Sequence, residues 1–423
     1  MNLSKLFADK SAIALKNNGN VKKLLFKKLI CSILYFENQK TIADLCIPSG
    51  VSIPTMTRLM NELKQEGWVL ELGTGKSRGG RKPVLYGLNP SASYVLGVEM
   101  TKKYTRANIY NLHNVAVGEA IQLDIELEDA PAILEILKTS IDTFIDSSGI
   151  NRQDIIGAGI IMPGLIDKKT SVNHIYKNLG EKPLNIMFSE LFQIPSYIEH
   201  NTKAMAMAES WFGLAKNKSN VLCLNVGSGV GMGIIMNSEL YQGHSGFSGE
   251  FGHIQLVPDG ELCYCGKIGC LETVASGPAL VARARKKIAK GENSIINKLT
   301  DSRTTEIKLP VIIEAAHQGD QFAIELIEES ALFLARGLAM MIHLFNPEMI
   351  IIGGDMARAE NLLSDPIQHQ LSKYTLSRIR QDAQIFVSEL KEQSGLLGTI
   401  PVVMNNIFLQ EPNIINTYKL NKL

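Results

Sequence analysis

The stretch Gly249–Glu272, GEFGHIQLVPDGELCYCGKIGCLE, decides how the remainder of the chain is read. It places His253, Cys263, Cys265 and Cys270 within eighteen residues, the mixed nitrogen and sulfur ligand set of a closed tetrahedral zinc site. The cysteines are spaced C-x-C-x4-C, with the histidine ten residues upstream. Gly266 and Gly269 allow the tight turns that would bring three sulfurs to one ion. The plain alternative is a chance cluster of reduced thiols. Four protein ligands leave no open position, so the expected zinc is structural. Glu250 and Glu272 bracket the cluster, and zinc would hold both near His253, where acceptors could converge on a polyol.

The 423 residues suffice for two or three domains. With 45% hydrophobic and 20% charged residues, the composition is that of a soluble globular protein. No apolar run is long enough for a membrane span, and the first twenty residues carry no secretion signal. Cysteines at 31, 46 and 223 outside the cluster suit a reducing cytoplasm. The net charge of +1 hides an asymmetry: residues 1–90 carry 14 Lys/Arg against 6 Asp/Glu. A basic N-terminal module on an acidic body points to a polyanion partner.

Apolar spacing predicts an amphipathic helix over 21–35. A short helix then starts at Thr41 and breaks near Pro48–Gly50, and a second runs from Ser52 or Ile53 to Glu66. Ser52 is placed to cap that second helix, with Pro54 in its first turn. Helix, glycine turn, helix is the helix-turn-helix pattern, although such pairs also occur in ordinary bundles. Two short strands, Trp68–Leu72 and Pro83–Leu88, follow and are joined by the basic tip GTGKSRGGRK. The arrangement looks like a winged helix; on a DNA-binding reading Ser52, Thr55, Thr57 and Arg58 face the major groove and Arg78, Arg81 and Lys82 lie on the wing. A solvated, merely charged loop is the competing reading of the tip.

Beyond a polar linker, Val95–Met100 and Thr105–Leu112 read as paired strands, followed by a helix near 130–147 and a buried strand ending at Pro163–Gly164. SYIEHNTKAMAMAESWFG reads as strand, polar turn and helix, with its alanines and methionines given to packing. VLCLNVGSGVGMGIIMNSEL is a glycine-rich hairpin, residues 310–345 are helical, and EMIIIGGD is a strand. Pro366–Arg378 is expected as a helix with its proline in the first turn, and Gly395–Phe408 as a closing helix.

The combination G-E-x-G-H with C-x-C-G-x-x-G-C-x-E resembles the ROK family of repressors, open reading frames and sugar kinases, over about residues 91 to 400. The wing is similar to the S-R-G-G-R-x-P wing of the family's repressors. The resemblance implies an α/β protein: a winged helix-turn-helix on a two-lobed actin-like, ribonuclease H-like sugar-kinase fold with a structural zinc loop. Expected domains are 1–90, 91–198 and 199–423, the last helix returning to the first lobe. The implied sugar-binding set is Asn178, His200, Asn201, Glu250, His253 and Glu272.

Two departures from the family's kinases bear on activity. Their E-N-D, whose aspartate takes the sugar proton, is here Glu199, His200 and Asn201, and an amide cannot take up a proton at neutral pH. His200 is the one candidate substitute base. Their D-x-G-G-T phosphate loop is here Glu99–Lys103, without glycine, so ATP is not expected. The resulting expectation is a sugar-responsive, DNA-binding repressor, dimeric or tetrameric, with zinc as its one cofactor and no membrane partner. The alternative is an active ATP-dependent sugar kinase with a fused DNA-binding domain.

Overall fold

The computed structural model of the chain describes residues 19–76, 82–127, 131–176, 179, 182–301 and 303–409. Arg78, Arg81 and Asn178 from the expected sites lie outside these residues. The described chain forms two compact units. One gathers the residues up to Gly164, Ser171–Glu199 and those from Thr399; the other holds Leu165–Thr170 and His200–Gly398.

Among the described residues the first unit opens with a head of three helices and a hairpin: α1 (Gly19–Glu37), α2 (Ile42–Ser49), α3 (Ile53–Gln65), β1 (Val69–Thr74) and β2 (Val84–Leu88). Thr41 and Asp44 close a reciprocal capping box on α2, and Gly50 ends it in the left-handed region at φ 63°. Met56, Leu59, Met60 and Leu63 form the buried face of α3, and Ile30 and Leu34 on α1 and Leu45 on α2 are buried as well. Ser52 is the residue before α3, but its hydroxyl meets Thr55 Oγ1 at 3.1 Å and caps no backbone N–H. Part of the basic charge turns inward: Lys23 and Lys27 pair with Glu62, at 2.7 and 2.9 Å, tying α1 to α3. Burial alone would lower the Lys27 ammonium; hydrogen bonds to Glu62 and Glu66 outweigh it and raise it. At its far end α1 sets Tyr35 against Phe408, the rings tilted by 40° with centroids 5.4 Å apart, and the Tyr35 hydroxyl donates to Asn114 Oδ1.

The rest of this unit is a five-stranded sheet, from β3 (Tyr94–Met100), β4 (Thr105–Asn111), β5 (Ile121–Leu123), β6 (Ile155–Met162) and β7 (Ser196–His200), in the order β5-β4-β3-β6-β7. Helices α4 (Pro131–Ser148) and α5 (Leu184–Phe192) belong to it. β3 runs antiparallel to β4 and parallel to β6, whose eight residues are all buried. A run buried on both faces is the pattern of a parallel strand covered on both sides.

The second unit repeats that order. α6 (Asn201–Phe212) leads into β8 (Val221–Val226), β9 (Val230–Met236), β10 (Glu239–Leu240), α7 (Gly277–Ile288), α8 (Leu309–His317), α9 (Gln321–Phe345), β11 (Met349–Gly353), α10 (Asn361–Tyr374), β12 (Gln384–Val387) and α11 (Ser394–Met404), whose residues from Thr399 belong to the first unit. Its strands lie in the order β10-β9-β8-β11-β12, again an antiparallel trio followed by parallel strands. The 25-residue α9 starts at Asp320, whose carboxylate accepts from Ala323 N at 2.8 Å, and stops at Asn346 with φ 40°. The polar turn expected before α6 is absent: β7 ends at His200 and the helix opens at once on Asn201. Pro366 stands inside α10 rather than in a first turn, so Leu362 loses the N–H it would ordinarily accept from. The closing helix stops at Met404 and gives way to a π-helical turn, Asn405–Leu409.

Glu209, fully buried near the end of α6, accepts from Leu214 N at 3.0 Å and from the Ser388 hydroxyl. Burial pushes its carboxyl above the ordinary range, with those two hydrogen bonds pulling back. A raised folded-state value means its stabilising contribution is full below the ordinary carboxylate value and is lost as pH rises through the raised one. Glu209→Gln should therefore remove a decline in unfolding midpoint on going from about pH 4 to about pH 8; an unchanged decline would contradict this. A Cβ on Gly159 of β6 would stand 2.3 Å from Thr399 O, so Gly159→Ala should cost about 1–3 kcal/mol in urea unfolding. Gly75→Ala, with no neighbour nearer than 3.5 Å, should stay within about 0.5 kcal/mol.

Candidate effector site and metal loop

The site is built on β9. Gly249 has φ +85°, and a Cβ there would stand 1.9 Å from Met232 O. No other residue allows the segment after β10 to return so close to the strand. Met232 N donates to Gly249 O at 3.0 Å, and the single turn Phe251–His253 follows. This sets Glu250 and His253 one turn apart, with Glu250 Oε2 4.0 Å from His253 Nε2. Glu272 opens a one-turn helix, and its Oε2 accepts from Val230 N at 2.8 Å, fixing that carboxylate to the start of β9. Burial pushes the Glu250 carboxyl above its usual range; His253 and Lys203 pull it back, and Glu272 adds to the rise.

The metal loop is a pair of short bridges, Gln255 with Cys270 and Leu262 with Ile268. Between them Cys263 N donates to Lys267 O at 2.7 Å and Gly266 N to Cys263 O at 2.9 Å, a tight knuckle that turns Cys263 and Cys265 the same way. The ligand atoms of His253, Cys263, Cys265 and Cys270 all lie within 4.8 Å of one another. Cys265 Sγ is 3.7 Å from Cys270 Sγ, and Cys263 Sγ is 3.7 Å from His253 Nδ1. Donors bound at about 2.3 Å in a tetrahedron stand about 3.8 Å apart, so these four could hold one metal ion. The structure also separates the two roles expected of His253. Nδ1 faces the thiols, while Nε2 faces Glu250 and the hydroxyl of Tyr264, 3.1 Å away.

Asn201, the first residue of α6, belongs to the same unit as Glu250, His253 and Glu272. His200 precedes the helix and its Nδ1 accepts from Thr202 N at 3.2 Å, so the lone pair that would make it a base is already engaged. Sequence reasoning did not single out Lys203. It is buried, and its ammonium donates to Gly246 O, three residues before Gly249. A lysine inside a run of alanines and methionines was the available signal. In the head, Ser52 and Arg58 are exposed on α3, Thr55 and Thr57 are half-buried, and Thr57 Oγ1 donates to Ile53 O. Lys82 is exposed beside the tip.

The β3–β4 turn is closed on itself. The Thr101 hydroxyl accepts from Lys103 N and Tyr104 N at 3.2 and 3.0 Å and donates to Tyr104 O. Thr101 N also donates to Tyr104 O, at 2.9 Å. Three backbone donors with which the turn could cradle phosphate, on Thr101, Lys103 and Tyr104, are thus spent within it.

Two units of one repeated sheet order, with acidic and imidazole groups beside a thiol loop, define an actin-like fold of the sugar-kinase type. The chain belongs to the ROK family, whose model matches residues 105–405. The xylose repressor of Caldicellulosiruptor bescii is 32% identical over 382 residues, covering 87% of this chain and 94% of the relative. A crystal structure of a ROK family transcriptional regulator, a homolog of the E. coli MLC protein, is 26% identical with a TM-score of 0.76, covering 90% of this chain and 96% of its own. A ROK family glucokinase from Streptomyces griseus, solved with glucose and AMPPNP, is 28% identical with a TM-score of 0.64; it covers 73% of this chain and 98% of its own.

Purified protein should carry about one metal equivalent per chain by elemental analysis, as a closed four-ligand site does. Cys270→Ser should lower metal affinity by roughly tenfold or more. Undiminished loading of that variant would place the ion elsewhere.

Proposed function

We propose that this chain is a sugar-responsive transcriptional repressor on a catalytically silent sugar-kinase fold. One observation carries the reading. The glucokinase is matched along 98% of its length yet accounts for 73% of this chain, whereas the repressor structure accounts for 90%. The family match begins at residue 105, after the head of three helices and a hairpin. That head, within residues 1–90, is the DNA-binding domain, and 91–198 and 199–423 are the two lobes. Ser52, Thr55, Thr57 and Arg58 read the major groove; Arg78, Arg81 and Lys82 supply wing contacts.

The effector is a sugar or sugar derivative recognised by Asn201, Glu250, His253 and Glu272; His200 and Asn178 complete the set that the family resemblance implies. The metal is zinc, and its part is structural: it orients His253 and holds the loop between Glu250 and Glu272. Kinase activity is disfavoured by Asn201, by the committed Nδ1 of His200 and by the self-satisfied turn at Thr101. A cytoplasmic protein fits this reading; among the described residues no helix is long and apolar enough to cross a membrane. One recognition helix per chain offers a single half-site, so the repressor acts as a homodimer or higher oligomer on a palindrome.

A thermal-shift screen with D-xylose, D-glucose and N-acetyl-D-glucosamine tests the sugar. A cognate sugar at a hundred times its dissociation constant should add about 2.7 kcal/mol of stability. The same sugar should change affinity for selected DNA in a salt-controlled titration and should yield no ADP from ATP at the roughly 1–100 s⁻¹ of ordinary kinases. Arg58→Ala should relax base preference at particular positions, at about 1–3 kcal/mol each. Rapid sugar-dependent ADP formation, or DNA affinity blind to a sugar that binds, would overturn the proposal.

A further inference from the structure

The zinc loop carries a large aromatic residue between two of its candidate ligands. Tyr264 is 63% exposed, and its ring stands edge-on to His253, with centroids 5.3 Å apart at 78°. Its hydroxyl lies 3.1 Å from His253 Nε2, on the side of the imidazole away from the thiols. With Nδ1 given to a metal, the neutral imidazole keeps its proton on Nε2 and has one hydrogen bond to donate. The Tyr264 oxygen is the acceptor within reach; Glu250 Oε2, at 4.0 Å, is not.

We infer that Tyr264 is a specificity-determining residue whose phenol occupies the effector's place on His253 Nε2 until a sugar displaces it. The inference rests on the reading of Glu250, His253 and Glu272 as the sugar site. A sugar hydroxyl that accepts from Nε2–H must take over a hydrogen bond the protein already makes. Displacement is therefore least costly for a vicinal diol: one hydroxyl accepts from the imidazole while its neighbour donates to the adjacent Glu250 carboxylate. A sugar offering one hydroxyl there breaks the tyrosine contact without the second bond in return. The loop geometry makes the competitor a fixed one, since Tyr264 sits between Cys263 and Cys265 and the metal would hold both.

Tyr264→Phe keeps the ring and removes the competing oxygen. The test measures calorimetric dissociation constants for whichever of D-xylose, D-glucose and N-acetyl-D-glucosamine gives the largest thermal shift on the wild-type protein. It compares wild-type and variant at equal metal content. The expected result is about 2- to 10-fold tighter binding by the variant, the range of one ordinary hydrogen bond. Equal or weaker binding by the variant would overturn the inference while leaving the sugar site standing. Failure of the wild type to bind any of the three would remove the sugar reading and this inference with it. A second readout needs no sugar. In ¹⁵N-histidine spectra the metal-loaded wild type should show one protected imidazole Nε2 proton that Tyr264→Phe loses, and its persistence in the variant would likewise overturn the assignment.

Discussion

Strand β9 turns two of its carbonyls, at Val230 and Met232, toward a segment that can approach them because it has glycine at both places. A Cβ at Gly252 would stand 2.2 Å from Val230 O, as one at Gly249 would stand 1.9 Å from Met232 O. Contact of backbone on backbone at that distance fixes the 249–253 segment more firmly than side-chain packing could. Everything chemical in the second unit is hung from it: Glu250 and His253 lie on the segment, and Glu272 reaches the same strand through Val230 N. The thiol knuckle then continues from His253, so a metal bound there is a clamp on geometry that β9 already sets.

The same economy runs through the polar groups that carry no chemistry. Thr101 consumes the donors of its turn, His200 spends Nδ1 on Thr202, and Glu209 ties the end of α6 to Ser388 and Leu214. Polar groups satisfied internally in this way stiffen the scaffold around them.

In the head, the basic charge counted along the sequence divides by position. Lys23 and Lys27 face Glu62 and Glu66 and serve the α1–α3 packing, whereas Arg58 and Lys82 face outward. At its other end α1 meets Phe408 and Asn114, so the head shares a continuous interior with the residues that follow it in the first unit.

Much of this was determined by the sequence alone. Buried runs such as Ile155–Met162, the helix starting at Thr41 and the spacing of His253, Cys263, Cys265 and Cys270 are local signals, set by periodicity, turn chemistry and ligand type. The family resemblance carried the actin-like architecture, which periodicity could not supply. Only the tertiary structure decided which nitrogen of His253 faces the thiols, that Tyr264 stands on the other, and that Ser52 and Pro366 do not play the helix-end roles their types suggest. The burial of Lys203 against Gly246 was equally out of reach. These are contacts between residues distant in sequence, or choices between near-equal local geometries. One hydrogen bond of about 1 kcal/mol settles such a choice, and no pattern of residue types along the chain records it.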